Sequence, residues 1–578
     1  MILVESILVV LSFLLAMVAP KLEDRRFAAI ERAVTSFSRR QMLSVVIVGL
    51  LAIVARISVL GILPIPNPGI PDEFGHLLAG DTFAHGRLTN PTHPMWIHLE
   101  NLSEIQQPSY ASKYPPAQGV VLAIGQVSIG HPFWGVCLST GLMCAAICWM
   151  LQAWMPPQWA LLGGLLAIIR LGMFSYWANS YWGGAIAATG GALLLGALPR
   201  IKRSPSFWNG LTMSLGLALL ANSRPYEGLV LACPVLIAVV IRLIRTEGIE
   251  RKRIMSRVVI PLAACGALAA LGMMYYNWRV TGSPARMPYQ VAQDTYYSTP
   301  LFLWQPLRPM PQYHHAAFRT DMETWEVPVY RGGRAHPVLM AEARVFFLVF
   351  FFYGPALVAP FLLLPYVLPR DFRWKQLSSN SRLLVSVIVI SVVAALLPLF
   401  FNPGYSAPLT AALYALSLKA LSRIRDLEVK GRLTGIAFSR YLMMTCVLLV
   451  IVRCAAGPLH LQLYGPRTWF SLDFQLGERA RLYDQLSRSG ARNVVIVRNA
   501  ENGMRGGMEW VFNDADIDNA KVIWARDMGP ERNAELIRYF KNRKIWSVEP
   551  DVGAASLAPY TDRQQMTISS GNSAVTVK

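Results

Sequence analysis

The sequence predicts a mainly α protein, a polytopic membrane bundle of about twelve spans, followed by a small C-terminal α/β domain outside the bilayer. Three observations predict it. The chain is 54% hydrophobic and only 15% charged, with a mean hydropathy of +0.37, whereas soluble domains carry about 25% charged residues. Apolar runs long enough to cross a bilayer recur along it, separated by short basic connectors. Beyond residue 456 the composition turns polar and strand-like runs alternate with a helical one.

Residues 1–20 are apolar but lack a basic leader region and a small-residue cleavage site, so they read as a retained first span. Spans follow at roughly 42–64, 132–154, 158–177, 182–199, 207–222, 226–243, 258–277, 341–368, 383–401, 405–421 and 435–456. The basic connectors fix their orientation. Arg25, Arg39 and Arg40 mark the first as cytoplasmic; Arg200 and Lys202, Arg251 and Lys252, Arg370 and Arg373, and Arg425 and Lys430 mark the others. Twelve crossings place every basic group on one side. The short apolar run 117–129 then becomes an in-plane or half-inserted helix on the outer face. The formal net charge of +20 follows from this topology, and no nucleic-acid partner is expected. All seven cysteines lie in or beside apolar runs and suggest neither a disulfide framework nor a zinc site.

The chain therefore divides into residues 1–41, a span with its basic connector; 42–456, a transmembrane domain with outer loops 65–131 and 278–340; and 457–578, the outer domain. In that domain 494–497, 522–524 and 545–548 read as strands. Residues 530–543 read as a helix with Leu536 and Tyr539 on its apolar face. Its glycine-rich segment at Gly503, Gly506 and Gly507 lacks the spacing of a nucleotide-binding turn.

On this topology the unusual polar residues collect at one membrane face. Pro71-Asp72-Glu73-Phe74-Gly75-His76 follows the second span directly. Carboxylates at a water interface can ionise and move protons, while Pro71 and two acids also suit the start of a helix. His85, His93 and His98 follow, then Lys113-Tyr114-Pro115-Pro116. Asn179 and Tyr181, Arg224 and Tyr226, Asn277 and Arg279, and Asn402 to Tyr405 stand at further outer turns. Aromatic residues there also serve as interfacial anchors, and Arg224 has the reach to snorkel to headgroups. An acid pair facing several cations is nevertheless what transfer from a membrane-bound phosphate donor needs, one carboxylate taking a proton and the cations holding the leaving phosphate.

In this arrangement the chain resembles the GT-C superfamily of polytopic glycosyltransferases, which includes protein O-mannosyltransferases and lipid A aminoarabinose transferases. The resemblance covers about residues 42–456 and rests on the acid pair after a span, the amphipathic helix behind it, Lys113-Tyr114-Pro115-Pro116 before a membrane-associated helix, and Asn402-Pro403-Gly404-Tyr405-Ser406-Ala407-Pro408. Tyr114 interrupts a Lys-Pro-Pro element, and Gly404 stands where some relatives have His. A second acidic motif has no acid at Asn179-Ser180-Tyr181-Trp182.

The resemblance implies a GT-C-type fold and an inverting hexosyl- or pentosyltransferase. It would use a polyprenyl-phosphate sugar donor and a lipid, glycan or protein acceptor at the periplasmic face of a bacterial inner membrane. Asp72 would be the general base and Glu73 its partner, orienting the acceptor or holding a cation. Lys113, Arg224 and Arg279 would hold the donor phosphate, and His76, Tyr114, Asn179, Tyr226, Asn277 and Tyr405 would line the pocket. Glu73, His76 and His93 are the candidates for a divalent cation; no other cofactor is indicated. Two other classes fit a polytopic chain: a transporter or flippase, which would carry ionisable groups inside its spans beyond Arg56 and Arg170, and a non-catalytic subunit of an envelope polysaccharide assembly system.

Overall fold

The computed structural model describes residues 1–369, 372–429, 431–432, 434–456, 477–498, 509–550 and 555–560. Arg370 and Lys430 of the basic connectors, the glycine-rich segment 503–507, and residues 457–476, 499–508, 551–554 and 561–578 of the C-terminal stretch lie outside the described residues. The chain is mainly helical and forms two compact units, neither continuous in sequence.

The first unit comprises Met1–Pro66, Pro116–Met273 and the described part of His336–Asp473. Among the described residues, five helices are long and apolar enough to cross a membrane: Gln41–Ser58, Phe133–Trp154, Pro225–Arg245, Gly248–Thr281 and Thr434–Ala456. Six apolar helices are shorter. Exposure follows a lipid solvent. On Gln41–Ser58, Met42, Val46, Leu50 and Val54 face outward, while Ser44, Gly49, Ala52 and Arg56 face inward. Large apolar groups outside and small or polar ones inside are what helix packing in hydrocarbon selects. Ala185–Arg203 and Thr410–Ile424 are buried nearly all round and form the middle of the unit.

Two expectations change here. The run 341–368 is not one continuous helix: Pro337–Phe352 and Gly354–Leu363 are separate, parted at Gly354, whose φ is 55°. The break is stabilised from the first helix, where buried Glu5 pairs with Arg170 at 3.1 Å and accepts from Ala356 N–H at 3.0 Å. That carboxylate sits at the start of the second half-helix, where exposed N–H groups favour negative charge. The second departure is that the span expected over 42–64 is helical only to Ser58. The chain beyond it curls back, so that Arg56 donates to Leu63 O and Ala178 O, both at 3.2 Å.

The second unit joins Asn67–Pro115 and Met274–Ala335 with the described part of Phe474–Lys578. Its sheet takes strands β3 (Asn493–Val497), β4 (Val522–Arg526), β5 (Lys544–Val548) and β6 (Ala558–Pro559), while β1 (Glu104–Ile105) and β2 (Ala111–Ser112) form a separate hairpin. The sheet order is β4-β3-β5-β6, with only β6 antiparallel. Central β3 is an apolar run because both its faces are covered. Val495 and Val497 pack with Leu482, Leu486 and Trp524 on one side. Val494 and Ile496 pack on the other with Leu536 and with Leu78, Leu99 and Tyr110, which come from the segment Asn67–Pro115. Helix Pro530–Tyr539 buries Leu536 as expected, but Tyr539 is 40% exposed and covers the His93 ring instead of entering the core.

Candidate active site

Helix Pro71–Ala84 begins with Pro71 in its first turn, where a missing N–H costs nothing. The two acids behind it part company. Glu73, 1% exposed, turns back on its own helix start and accepts from Gly69 N–H at 2.9 Å and Ile70 N–H at 3.5 Å. Asp72 instead accepts a hydrogen bond from the Tyr114 hydroxyl. One turn along the helix, the His76 ring stacks on Tyr114, with centroids 4.5 Å apart and 27° between planes. Gly75 makes room for this contact. A Cβ there would stand 2.7 Å from Ser103 O and 3.0 Å from the Tyr114 ring. Tyr114, the residue that interrupts the Lys-Pro-Pro pattern, thus bridges the acid helix to the lysine segment.

Lys113 is 6% exposed. Its ammonium donates to Leu102 O at 3.0 Å and to the Tyr297 hydroxyl at 2.9 Å, using two of its three N–H groups. Tyr297 in turn donates to Leu102 O at 3.1 Å, closing a triangle. The rings of Tyr297, Tyr114 and Tyr289 surround the ammonium at 5.1, 5.2 and 5.8 Å, a cation–π cage that offsets some lost hydration. Burial lowers the Lys113 pKa, and the charges of Asp72 and Glu326 oppose that shift. Burial raises the Tyr297 hydroxyl well above its usual value, with Glu326, Tyr289 and Asp72 adding to the effect, so it remains a donor.

The structure adds a carboxyl group to this cluster. Glu326 ends a π-helical turn, Met322–Glu326, and accepts from Thr299 Oγ1 at 2.6 Å. Burial pushes its pKa up to about 7, with Asp321 and Asp72 contributing, while Thr299 and Lys113 oppose the shift. Asp321 is raised to about 6, first by burial and then by Glu509. Trp325 beside Glu326 was the available signal, a carboxyl embedded between Trp and Val in an otherwise polar loop. Only the turn reveals which way that acid faces.

The other expected residues take varied places. Asn277, buried, donates to Pro284 O at 3.3 Å and braces the loop after its helix. Arg279 lies on an exposed face, with Nη1 3.2 Å from the Tyr275 hydroxyl. His93 accepts from Met95 N–H at 3.0 Å through Nδ1, faces Asp518 at 3.3 Å through Nε2 and stacks on Phe540. Burial lowers its pKa against the opposing pull of Asp518. These contacts make His93 a tie between the segment Asn67–Pro115 and the C-terminal sheet.

Arg224, Tyr226, Tyr405 and Asn179 belong to the first unit. The Arg224 guanidinium lies 4.3 Å over the Tyr405 ring, and Tyr226 donates to Ala394 O at 3.0 Å. Asn179, 3% exposed, donates to Ser175 O at 2.8 Å and Met173 O at 2.9 Å, a structural use. At Gly404 a Cβ would stand 2.5 Å from the Tyr176 hydroxyl, so any side chain at that position requires the Tyr176 ring to shift.

Among the described residues no three His, Cys, Asp or Glu side chains converge as metal ligands. Glu73 is committed to the helix start, His76 to the Tyr114 stack and His93 to Asp518. These residues do not fit a metal centre.

No family model matches the sequence, and no curated protein matches it. Solved structures that are similar include an Archaeoglobus fulgidus oligosaccharyltransferase in complex with zinc and sulfate. It is 15% identical with a TM-score of 0.48, over 88% of this chain and 67% of that one. ArnT from Cupriavidus metallidurans in the apo state is similar at 11% identity and a TM-score of 0.46, over 86% of this chain and 92% of that one. ArnT bound to undecaprenyl phosphate is similar over the same shares at a TM-score of 0.44.

Proposed function

We propose that the protein is a membrane glycosyltransferase that moves a hexosyl or pentosyl unit from a polyprenyl-phosphate donor to an acceptor hydroxyl. The reaction takes place at the outer face of a bacterial cytoplasmic membrane. The observation that carries this reading is the cluster joining Asp72 and Lys113 through Tyr114 and Tyr297, a proton acceptor and a cation fixed within one unit. Asp72 takes the proton of the acceptor hydroxyl. The oxygen so freed bonds to the anomeric carbon while the bond from that carbon to the phosphate oxygen breaks, and the electron pair leaves with the phosphate. Attack opposite the leaving group inverts the sugar.

Lys113 receives the departing charge through its third N–H, and fixed donors in a water-poor site stabilise such charge far better than in bulk water. A positioned base contributes about 10²–10⁴-fold to the rate. Tyr114 holds the Asp72 carboxylate in place, Glu73 fixes the helix start beneath it, and Arg279, of the same unit, is a further phosphate contact. His76 and Asn277, of the same unit, border the bound donor and acceptor.

About twelve crossings, five of them long apolar helices, keep the basic connectors in the cytoplasm and the loop-and-tail unit outside. The buried Glu5–Arg170 pair, fixed to backbone at Ala356, favours a structural use of in-membrane charge over a transport pathway. Incubating the purified protein with radiolabelled polyprenyl-phosphate sugars, with and without acceptor lipid or glycan, tests the reading. Acceptor-dependent loss of label from the donor is expected. Label that never leaves the polyprenyl phosphate would refute it.

A further inference from the structure

A polar cavity in the loop-and-tail unit has no part in the proposed transfer. Its volume is about 130 Å³, and its walls include Trp96, Glu100, Gln106, Gln107, Gln312 and Tyr313. The local sequence explains the mixture. Residues 96–99 form a short helical turn that places Trp96 beside the His314 ring, edge to face at 5.3 Å. The hairpin β1–β2 brings Gln106 and Gln107 to the same wall.

Glu100 is the fixed point. It is 2% exposed, accepts from the Tyr296 hydroxyl at 3.2 Å through Oε1, and has His314 Nδ1 at 2.9 Å and His315 Nε2 at 3.3 Å from Oε2. Two histidines on one carboxylate oxygen leave it poorly suited to a free cation, but the Oε1 atom keeps acceptor capacity. Gln106, also 2% exposed, donates to Leu99 O at 3.1 Å, and its Oε1 has no hydrogen-bond partner among the described residues. An unpaired buried carbonyl costs about 1–3 kcal/mol, and no described group of this unit removes that cost. Gln107 and Gln312 on the rim are exposed.

From these residues we infer a binding site for one neutral pyranose unit of the acceptor, distinct from the Asp72–Lys113 cluster; the word acceptor rests on the transfer reading above. A pyranose has an apolar C–H face and a rim of hydroxyls that both donate and accept. Trp96 and Tyr313 supply the apolar wall. A carboxylate that only accepts and three amides that do both match the hydroxyl rim. Pockets that engulf a drug-sized ligand hold roughly 300–1,000 Å³, so this cavity suits one ring with the rest of its chain outside. The site also shares its supports with the candidate active site. Neighbouring Tyr296 and Tyr297 end one helix region, the first bonding Glu100 and the second bonding Lys113.

The test is saturation-transfer difference NMR on the full-length protein in detergent, with methyl glycosides of glucose, galactose, mannose and N-acetylglucosamine as probes. At least one glycoside should receive saturation. Its binding should weaken about five- to tenfold, the worth of one hydrogen bond, in Gln312→Ala and in Gln107→Ala. Both changes fall on exposed residues and leave the fold intact; Trp96→Ala should abolish binding. Asp72→Asn should bind the glycoside unchanged, which separates this site from the transfer site. No transfer to any glycoside, binding indifferent to all three cavity variants, or binding lost in Asp72→Asn would each overturn the proposal. Failure of the transfer assay with glycoside binding intact would refute the transfer reading and leave the cavity a saccharide site.

Discussion

Replacing Lys113 by Met isolates the leaving-group role because the geometry separates stability from chemistry. Lys113 lies inside three tyrosine rings and is 6% exposed. A thioether of similar length fills that cage and packs well against ring edges. The two groups it abandons are not orphaned, since Tyr297 still donates to Leu102 O at 3.1 Å. Burial already disfavours the charged ammonium. The change in stability should therefore stay within about 1.5 kcal/mol, as for a volume-conserving core exchange.

What disappears is a charge-assisted bond to phosphate, worth about 1.5–3 kcal/mol, or roughly ten- to a hundredfold in rate if it forms mainly in the transition state. Single-turnover transfer from a labelled polyprenyl-phosphate sugar, alongside donor binding by isothermal titration, reads both quantities. The rate should fall by that factor with donor affinity nearly kept. A folded Lys113→Met protein with wild-type turnover would refute the role given to the cation.

Glu73→Gln keeps an oxygen to accept from Gly69 and Ile70 and should leave thermal stability and turnover largely intact, whereas Glu73→Ala should cost about 0.5–2 kcal/mol by losing the helix-start bonds; differential scanning fluorimetry checks both. Glu326, raised from an ordinary 4.5 to about 7 by burial, binds its proton more tightly in the folded protein than in the unfolded chain. Its contribution to stability is thus full below about pH 4.5 and lost as pH rises through about 7, so Glu326→Gln should flatten the melting temperature over that window. An unchanged pH profile would show that Glu326 does not titrate there. Reporter fusions at position 205 and after Gly490 should report opposite sides of the membrane, and both on one side would overturn the topology.

Regularly patterned elements were legible in the sequence. The apolar run Val494 to Val497 is β3, and Pro530 starts its helix where expected, because local propensity and burial agree there. Tyr539 was misplaced because helical spacing shows which residues share a face but not that His93, more than 400 residues earlier, covers it. The break at Gly354 was invisible for the same reason: Glu5 and Arg170, which stabilise it, arrive from two other helices.

At the candidate site the pairing of Asp72 with the Lys113 segment was expected, yet the link is Tyr114, the residue that had looked like an interruption. Glu73 followed the simpler physics of a helix start. Glu326 escaped notice because, among Asp321 and Glu323, its only sequence mark was the neighbouring Trp325; Thr299 and the π-helical turn show which way it faces.

The central claim is that Asp72 is the base in a transfer from a lipid-linked phosphate. The measurement that tests it most directly is transfer by Asp72→Asn at saturating labelled donor and acceptor, with donor binding measured on the same preparation. Asparagine keeps the size of the side chain and an oxygen for the Tyr114 hydroxyl, losing only the capacity to take a proton. Donor binding should persist while the rate drops about 10²–10⁴-fold. Wild-type transfer by the folded variant would contradict the account.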